Sequence, residues 1–263
     1  MDFGLKDKVA FVAASSLGLG KAAALELSKE GAKVNICARS KERLFKTREE
    51  LQARTGHEVR AWVTDVTEKD QVKNMIQEII SEFGRIDIMV TNAGGPPSGQ
   101  IDDFSPEDYL DALELNLMTT INLCYSVIPS MKSNLWGRII NIASISGKQP
   151  IDTLVLSNTA RAGVLGFSKS LSNQMAPFGV TVNCVCPGYT KTERIEELAA
   201  AFEKNQKGTV QDFYKKIEQM IPAGRFADPE EFGATVAFLA SKQAGYITGT
   251  ALQIDGGFIK ALY

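Results

Sequence analysis

The sequence predicts an α/β protein built on a seven-stranded, mostly parallel, doubly wound sheet with helices on both faces. Short apolar runs rich in β-branched residues alternate with amphipathic helical patterns along the whole chain, as expected for parallel strands joined by crossover helices. No linker rich in Pro, Gly or Ser interrupts this alternation in the 263 residues, of which 44% are hydrophobic. The chain is therefore expected to form a single domain over residues 1–263.

Each predicted element rests on its own apolar pattern. The strands are the short runs bounded by turn residues, at residues 9–13, 33–38, 59–64, 86–91, 138–142, 180–186 and 251–254. The helices are the longer stretches with apolar residues three and four apart, at residues 18–30, 41–54, 69–83, 106–131, 157–176 and 229–240.

Residues 189–225 break the alternation with a long, charged and mostly helical insertion. Insertions at the carboxyl edge of a parallel sheet lie over the ligand crevice, so this segment is a candidate lid. A surface helical hairpin without a functional role is the alternative.

Composition limits the partners and the compartment. The 29 Lys and Arg residues nearly balance the 31 Asp and Glu residues, for a formal net charge of −2, so neither nucleic acid nor a membrane surface is expected as a partner. The first residues lack an apolar signal region, and no later run is long enough for a membrane helix, which leads us to expect a cytoplasmic protein.

The cysteines fit a reducing compartment. Cys37, Cys124, Cys184 and Cys186 are too few for a disulfide framework in a chain of this length. Cys184 and Cys186 lie on one face of a predicted strand and are expected to be small buried side chains rather than metal ligands. No metal site is predicted.

Residues 138–169 place three polar side chains close together. A buried strand leads into a loop that contains Ser144, and the helix that follows carries Ser157 and Arg161. Because those two residues are four apart, they share one helix face, so a hydroxyl and a fixed positive charge are expected near Ser144. The alternative is a capped helix start with a solvated arginine.

A loop containing two glycines connects the first strand to the first helix and reads Ala14-Ser15-Ser16-Leu17-Gly18-Leu19-Gly20. Glycines at such a position let the main chain approach a pyrophosphate, which then lies against the positive end of the helix dipole. The loop predicts a dinucleotide site of Rossmann type, formed by Ala14, Ser15, Ser16, Gly18, Leu19 and Gly20. A glycine pair alone is a weak signal, so the rest of the chain has to support it.

Further motifs make the chain resemble the short-chain dehydrogenase/reductase family, and within it the 3-oxoacyl-[acyl-carrier-protein] reductases. They are Asp65-Val66 after the third strand, Asn92-Ala93-Gly94 after the fourth, Asn116 in the long helix, and Pro187-Gly188 with Thr192 after the sixth. The resemblance covers nearly the whole chain. It implies that Asp65 and Val66 lie at the adenine and that Asn92, Ala93 and Gly94 form the family's signature beside the cofactor. It also implies that Asn116 supports a proton relay and that Pro187, Gly188 and Thr192 hold the nicotinamide end.

The cofactor loop departs from the family pattern T-G-x-x-x-G-x-G, because Ala13 and Ala14 replace the Thr-Gly pair. Alanine adopts most right-handed turn geometries, so we expect Ala14 to preserve the turn and the cofactor to bind.

The end of the second strand indicates which dinucleotide is bound. A carboxylate there would bind a ribose hydroxyl and repel a 2′-phosphate, whereas this chain has Arg39, whose guanidinium suits a phosphate. We therefore predict NADP(H), with NAD(H) less favoured. The alternative is that Arg39 is a solvated surface charge.

The chain also departs from the family pattern at the positions that the resemblance makes catalytic. The resemblance assigns Ser144 to the family's carbonyl-binding serine, and the family's usual interval then places Ser157 and Arg161 where its tyrosine and lysine stand. A phenol has a pKa near ~10 that a neighbouring cation can lower toward neutrality, but a serine hydroxyl is a far weaker acid. Arg161 can supply positive potential and donate to ribose hydroxyls, but it will not shuttle a proton.

Three functions remain open. The chain is an active reductase or dehydrogenase that acts on a carbonyl or a secondary alcohol, with a proton supplied by water through Asn116 or by Tyr189. Alternatively, Arg161 anchors a substrate carboxylate or phosphate while Ser144 and Ser157 bind the reacting oxygen. The third reading is a catalytically silent dinucleotide-binding module.

The chain is expected to form a homodimer or homotetramer. Helix 157–176 is rich in small residues, helix 106–131 is apolar on more than one side, and the carboxyl-terminal residues 258–263 are apolar. Such faces suit packing between subunits, as is usual in the family, or packing within the monomer. The substrate is expected to be a small molecule. The loop at residues 94–99 and the candidate lid are expected to shape the pocket that binds it.

Overall fold

The seven strands form one parallel sheet with the order β3-β2-β1-β4-β5-β6-β7. The structure, a computed structural model, describes residues 1–205 and 207–262. Every neighbouring pair in the sheet is parallel, so the predicted doubly wound α/β class is confirmed. The strands are β1 Val9–Val12, β2 Lys33–Ala38, β3 Val59–Val63, β4 Ile88–Thr91, β5 Gly137–Ile142, β6 Val180–Pro187 and β7 Ala251–Ile254.

Helices cover both faces of the sheet. They are α1 Gly18–Lys29, α2 Lys41–Thr55, α3 Lys69–Phe83, α4 Pro106–Leu113, α5 Thr119–Asn134, α6 Val155–Met175, α7 Glu193–Lys204, α8 Val210–Met220 and α9 Pro229–Ala240. No helix among the described residues combines the length and the apolar character needed to cross a membrane.

The central strands are buried on both sides. Ala10 and Val12 of β1 belong to one apolar cluster, with α1 and α9, whereas Val9 and Phe11 belong to the other, with α3 and α5. This follows from the twofold period of a strand, which points successive side chains to opposite faces. It also explains why these strands read as continuous apolar runs rather than alternating ones.

The predicted single helix at residues 106–131 is wrong in detail. α4 ends at Leu113, a π-helical turn occupies Glu114–Met118, and α5 continues through Pro129 to Asn134. The hydroxyls of Thr119 and Thr120 donate to the carbonyls of Glu114 and Asn116, at 3.1 and 2.8 Å. A π turn inserts one extra residue into a helix. The segment 106–131 is apolar on more than one side, so its pattern does not reveal the insertion.

The crevice for a ligand lies at the carboxyl ends of β1 and β4. These two strands are neighbours, but the chain leaves them toward opposite edges of the sheet, which separates the loops that follow them. The insertion at residues 189–225 contains α7 and α8, which share an apolar cluster with Phe226. α7 begins beside the crevice, as described below.

Candidate active site

The β1–α1 loop makes a tight turn that needs an unusual backbone conformation. Ala14 has φ +46° and Gly18 has φ +56°. Ala14 therefore lies in the left-handed region, and the expectation of a right-handed turn at this residue is wrong. A residue with a Cβ is strained in this conformation, whereas the glycine that the family has at this position would not be.

Gly20 brings α1 against the ends of β1 and β4. A Cβ at this position would lie 2.7 Å from the Ala14 carbonyl oxygen and 2.9 Å from Asn92 Nδ2. Only glycine allows this approach. The Asn92 amide also donates to the Ala14 carbonyl at 3.1 Å, so it ties the two loops together.

Ser15 does not have the role predicted for it. Its main-chain amide donates to the Cys37 carbonyl at 2.9 Å, and its hydroxyl donates to Val12 at 2.7 Å and accepts from the Cys37 amide. The residue is fully buried, so both its amide and its hydroxyl hold β1 to β2 rather than facing a ligand. The Ser16 carbonyl is held by the Thr47 hydroxyl at 2.7 Å.

The cofactor fits this loop. Gly18, Leu19 and Gly20 are the first residues of α1, where main-chain amides have no acceptor within the helix and the helix dipole favours an anion. With the close approach at Gly20, these amides form the cradle that a pyrophosphate requires.

Arg39 and Asp65 bring the ends of β2 and β3 together at the rim of the sheet. Arg39 Nη1 lies 3.7 Å from Asp65 Oδ2, and the Arg39 side chain is 80% exposed. Asp65 Oδ1 also accepts from the amide and the hydroxyl of Thr67, at 3.0 and 2.7 Å. Val66 is buried in the core. Asp65 therefore fixes its own turn and holds Arg39 at the rim.

Asn116 reaches the loop that follows β4 from the π-helical turn. Its Nδ2 donates to the Gly94 carbonyl at 2.8 Å. Its Oδ1 is buried and has no partner among the described residues. Buried polar atoms are almost always paired, so this oxygen is a site where a water molecule could donate a hydrogen bond.

Ser144 and Ser157 are brought to the same end of β5, and they are linked through Ser146. Ser144 Oγ accepts from the Ser146 amide at 3.1 Å, and the Ser146 and Ser157 hydroxyls are 3.0 Å apart. α6 begins at Val155, so Ser157 lies inside its first turn and does not cap it. Ser146 is not recognisable from sequence, because a second serine in a Ser-rich loop carries no separate signal.

Arg161 is buried, and the alternative of a solvated arginine is wrong. Its side chain is 7% exposed, and Nη1 donates to the Ile142 carbonyl at 2.8 Å. Burial lowers the pKa of Arg161 to about 10, which leaves it charged at neutral pH. Its neighbours Cys184 and Cys186 are buried as predicted, and burial raises their pKa values to about 12 and 11, so both thiols are neutral.

The end of β6 and the start of α7 close over the crevice. The Gly188 amide donates to the Ile254 carbonyl at 2.9 Å, and a Cβ at this glycine would lie 2.8 Å from Asp255 Cα. Thr192 and Glu193 begin α7, and their side chains lie 3.8 and 3.6 Å from the position of a Cβ on Gly18. The predicted nicotinamide-end residues Pro187, Gly188 and Thr192 thus connect the sheet to the cofactor loop.

Arg194 makes a second contact across the crevice. Its Nη2 donates to the Pro96 carbonyl at 2.8 Å, and its Nη1 lies 3.2 Å from Glu197 Oε2. A Cβ at Gly95 would be 3.2 Å from Arg194 Nε, so glycine makes room for the guanidinium. Arg194 is not recognisable from sequence, because an arginine in a charged helix resembles a solvated residue.

Tyr189 packs into the aromatic cluster of the insertion. Its ring centroid lies 6.0 Å from that of Phe226 and 5.4 Å from that of Phe258. Burial raises the pKa of its phenol. A general acid at neutral pH requires the opposite shift.

Comparison with known proteins identifies the family. The sequence model of the enoyl-(acyl carrier protein) reductase family matches residues 13–259. The chain is 36% identical to the 3-oxoacyl-[acyl-carrier-protein] reductase of Haemophilus influenzae over 253 residues, which are 96% of this chain and 98% of the relative.

Solved structures of similar proteins match the fold of this chain over nearly its whole length. L-sorbose reductase from Gluconobacter frateurii, complexed with NADPH and L-sorbose, has a TM-score of 0.94 and 32% identity and covers 100% of both chains. Actinorhodin polyketide ketoreductase with NADPH has a TM-score of 0.93 and 31% identity, with 97% of this chain and 98% of that chain covered. The chain therefore belongs to the short-chain dehydrogenase/reductase family.

Proposed function

We propose that the chain is an NADP(H)-dependent oxidoreductase that reduces a carbonyl, or oxidises a secondary alcohol, at an active site in which Ser157 and Arg161 replace the family's tyrosine and lysine. The observation that carries this proposal is that Arg161 is buried and charged, with its guanidinium on the Ile142 carbonyl two residues before Ser144. Burying a charge costs free energy. The carboxyl end of β5 is where a positive charge would stabilise the oxygen that becomes negative during hydride transfer.

The cofactor proposal rests on three features. The cradle at Gly18 to Gly20 suits a pyrophosphate, Arg39 at the rim suits a 2′-phosphate, and the structures cited above contain NADPH. When bound, the reduced dinucleotide would supply the hydride. Residues of the loops after β1, β4 and β6 would hold it: Ala14, Ser16, Gly18, Leu19, Gly20, Asn92, Ala93, Gly94, Pro187, Gly188 and Thr192.

Ser144 and Arg161 stabilise the reacting oxygen. The Ser144 hydroxyl accepts a hydrogen bond from Ser146, which leaves its proton free to donate to a carbonyl oxygen. Arg161 supplies positive potential to the charge that develops on that oxygen. Neither group is an acid strong enough to release its own proton at neutral pH.

The proton comes from water. Asn116 Oδ1 has no partner within the described chain, and a water molecule donating to it would be near the end of β4. That water would deliver the proton to the alkoxide oxygen, and bulk solvent would replace the proton, so the alcohol forms with balanced charge. This route replaces the phenol that the family uses.

A silent dinucleotide-binding module is the second candidate. It is favoured by the pairing of Ser157 with Ser146, which directs that hydroxyl toward a neighbouring serine. In this case the chain would bind the dinucleotide without turning over a substrate.

Single-turnover oxidation of bound NADPH separates the two functions. A panel of ketones, 3-oxoacyl thioesters and sugars is mixed with the preformed NADPH complex, and absorbance at the nicotinamide band is followed. Oxidation with any of them supports the reductase. Stoichiometric NADPH binding without oxidation by any member of the panel would favour the silent module.

Self-association into a homodimer or homotetramer is also a proposal. Leu110 and Tyr125, on α4 and α5, are each 65% exposed, as expected of side chains that a second subunit would cover. Sedimentation equilibrium measures the mass of the assembly.

A further inference from the structure

Two guanidinium groups from different helices are held at the carboxyl edge of the sheet. Arg161 comes from α6 and is fixed to the Ile142 carbonyl at the end of β5. Arg194 comes from α7 and is fixed to the Pro96 carbonyl in the loop that follows β4. Because β4 and β5 are neighbouring parallel strands, both arginines are held at the carboxyl ends of adjacent strands or in the loop that follows. The two charges are close enough for Arg194 to lower the pKa of Arg161.

One edge of the Arg161 guanidinium is unused. Within the described part of the chain its side chain makes a single hydrogen bond, from Nη1, and Nε is buried without a partner. The Nε and Nη2 hydrogens point to the same side of the guanidinium. A carboxylate can accept two parallel hydrogen bonds from this side, one with each oxygen. A buried donor of this kind is costly to leave unpaired.

Among the described residues, Arg161 has no ion pair with an acidic side chain, and Arg194 has one, with Glu197. Asp255 is near Cys186, but its two carboxylate oxygens accept from the amides of Gly257 and Ile259, at 3.0 and 2.9 Å. Glu197 pairs with Arg194 and is 66% exposed, so that ion pair is weak and easily exchanged.

A third cation adds to the positive charge. Lys148 lies in the loop after Ser144, is half-buried, and donates to the Ala251 carbonyl at 3.2 Å. Like Arg161, it is close enough to Cys186 to act on that thiol. The region around Ser144 therefore has more positive charge than its own residues balance.

We propose that the substrate is a carbonyl compound that carries a carboxylate, and that Arg161 and Arg194 hold this carboxylate while Ser144 binds the carbonyl oxygen. This inference rests on the proposed reductase function and adds the substrate class. Arg194 belongs to the insertion, so carboxylate binding also fixes α7 over the crevice.

Matched acid and ester pairs test the substrate class. Pyruvate, acetoacetate and levulinate differ in the distance between carbonyl and carboxylate, and the methyl ester of each removes the charge but retains the carbonyl. The acid of at least one pair is expected to have a kcat/KM about tenfold or more above that of its ester, as one good charged contact would give. Equal or higher kcat/KM for the ester in every pair that reacts would overturn the inference and leave the reductase function standing.

Two variants on α7 separate charge recognition from a structural effect. Arg194→Gln is expected to lower kcat/KM for the preferred acid by about 30-fold or more while changing that of its ester by less than about threefold. Lys204→Gln makes the same change of charge at the exposed carboxyl end of the same helix, and is expected to change neither. An equal loss for acid and ester in Arg194→Gln would mean that Arg194 only holds the insertion in place, and would contradict the inference.

Anion binding is measured separately, so that failure of turnover does not obscure it. Malonate is titrated into the enzyme with NADP⁺ by calorimetry, with malonamide as the uncharged control. Saturable binding of malonate that weakens about tenfold or more in Arg194→Gln supports the carboxylate site even if none of the six carbonyl compounds is reduced. Absence of saturable malonate binding, or binding unchanged in that variant, would overturn it.

Discussion

The hydroxyls of Ser146 and Ser157 lie 3.0 Å apart at the start of α6. Ser157, which we propose takes the position of the family's proton donor, has its hydroxyl paired with that of the buried Ser146. In the proposed mechanism this pairing gives Ser157 a supporting role and leaves Ser144 as the hydroxyl that donates to a substrate.

Ser144→Ala is expected to lower kcat by ~10²-fold or more, because it removes a hydrogen bond to the developing charge on oxygen. Ser157→Ala should lower kcat by less than about tenfold, because water supplies the proton in the proposed mechanism. Steady-state kinetics with any substrate found in the single-turnover panel compares the two variants. A larger loss in Ser157→Ala than in Ser144→Ala would reverse these roles.

Arg161→Lys is expected to shift the alkaline limb of the pH profile to lower pH. Burial lowers the pKa of Arg161 to about 10, so the native enzyme should lose activity only above about that pH. A lysine begins from a lower pKa, ~10.4, and burial at the same place lowers it further, so the charged form is lost earlier as pH rises. The measurement is kcat/KM from pH 6 to pH 10.5. Superimposable alkaline limbs would show that a charge at residue 161 is not needed.

Ala14→Gly is expected to stabilise the protein by about 1 kcal/mol, since it relieves a left-handed conformation at φ +46°. Ala53→Gly, at an exposed position within α2, is the matched control and should destabilise by about 1 kcal/mol. Urea unfolding gives both free energies. The prediction fails if Ala14→Gly destabilises the protein as much as the control does.

Arg39→Ala is expected to raise the dissociation constant of NADPH by about tenfold or more and to change that of NADH by less than about twofold. The reason is that only NADPH carries the 2′-phosphate that the Arg39 guanidinium, held at the rim beside Asp65, would bind. Fluorescence titration with the two cofactors measures both constants in one preparation. Tighter binding of NADH than NADPH in the native protein would contradict the NADP(H) proposal itself.

Tyr189→Phe is expected to leave kcat within about twofold of the native value. The ring packs against Phe226 and Phe258, and burial raises rather than lowers the pKa of its phenol. A loss of ~10²-fold, as expected when a general acid is removed, would restore the phenol as the proton donor.

The sequence by itself determined the sheet and the strand–loop–helix arrangement of the cofactor loop, and it predicted that Ser157 and Arg161 share one helix face. Strand runs such as residues 33–38 and helices such as residues 69–83 are read correctly to the residue. A strand buried on both faces gives a short continuous apolar run, whereas a helix buried on one face gives apolar residues three and four apart. Motifs next to predicted strands and helices also singled out four residues as candidate site residues: Gly18, Gly20, Asn92 and Asn116.

Only the tertiary structure decided what these side chains contact. The left-handed Ala14, the use of Ser15 between β1 and β2, and the burial of Arg161 all depend on strands that are distant in sequence. Arg194 meets Pro96 across 98 positions of the chain. Local patterns report the period of a segment, whereas burial and hydrogen-bond partners depend on which distant segments pack against it. The partners of Arg161 and Arg194 could therefore not be read from the sequence.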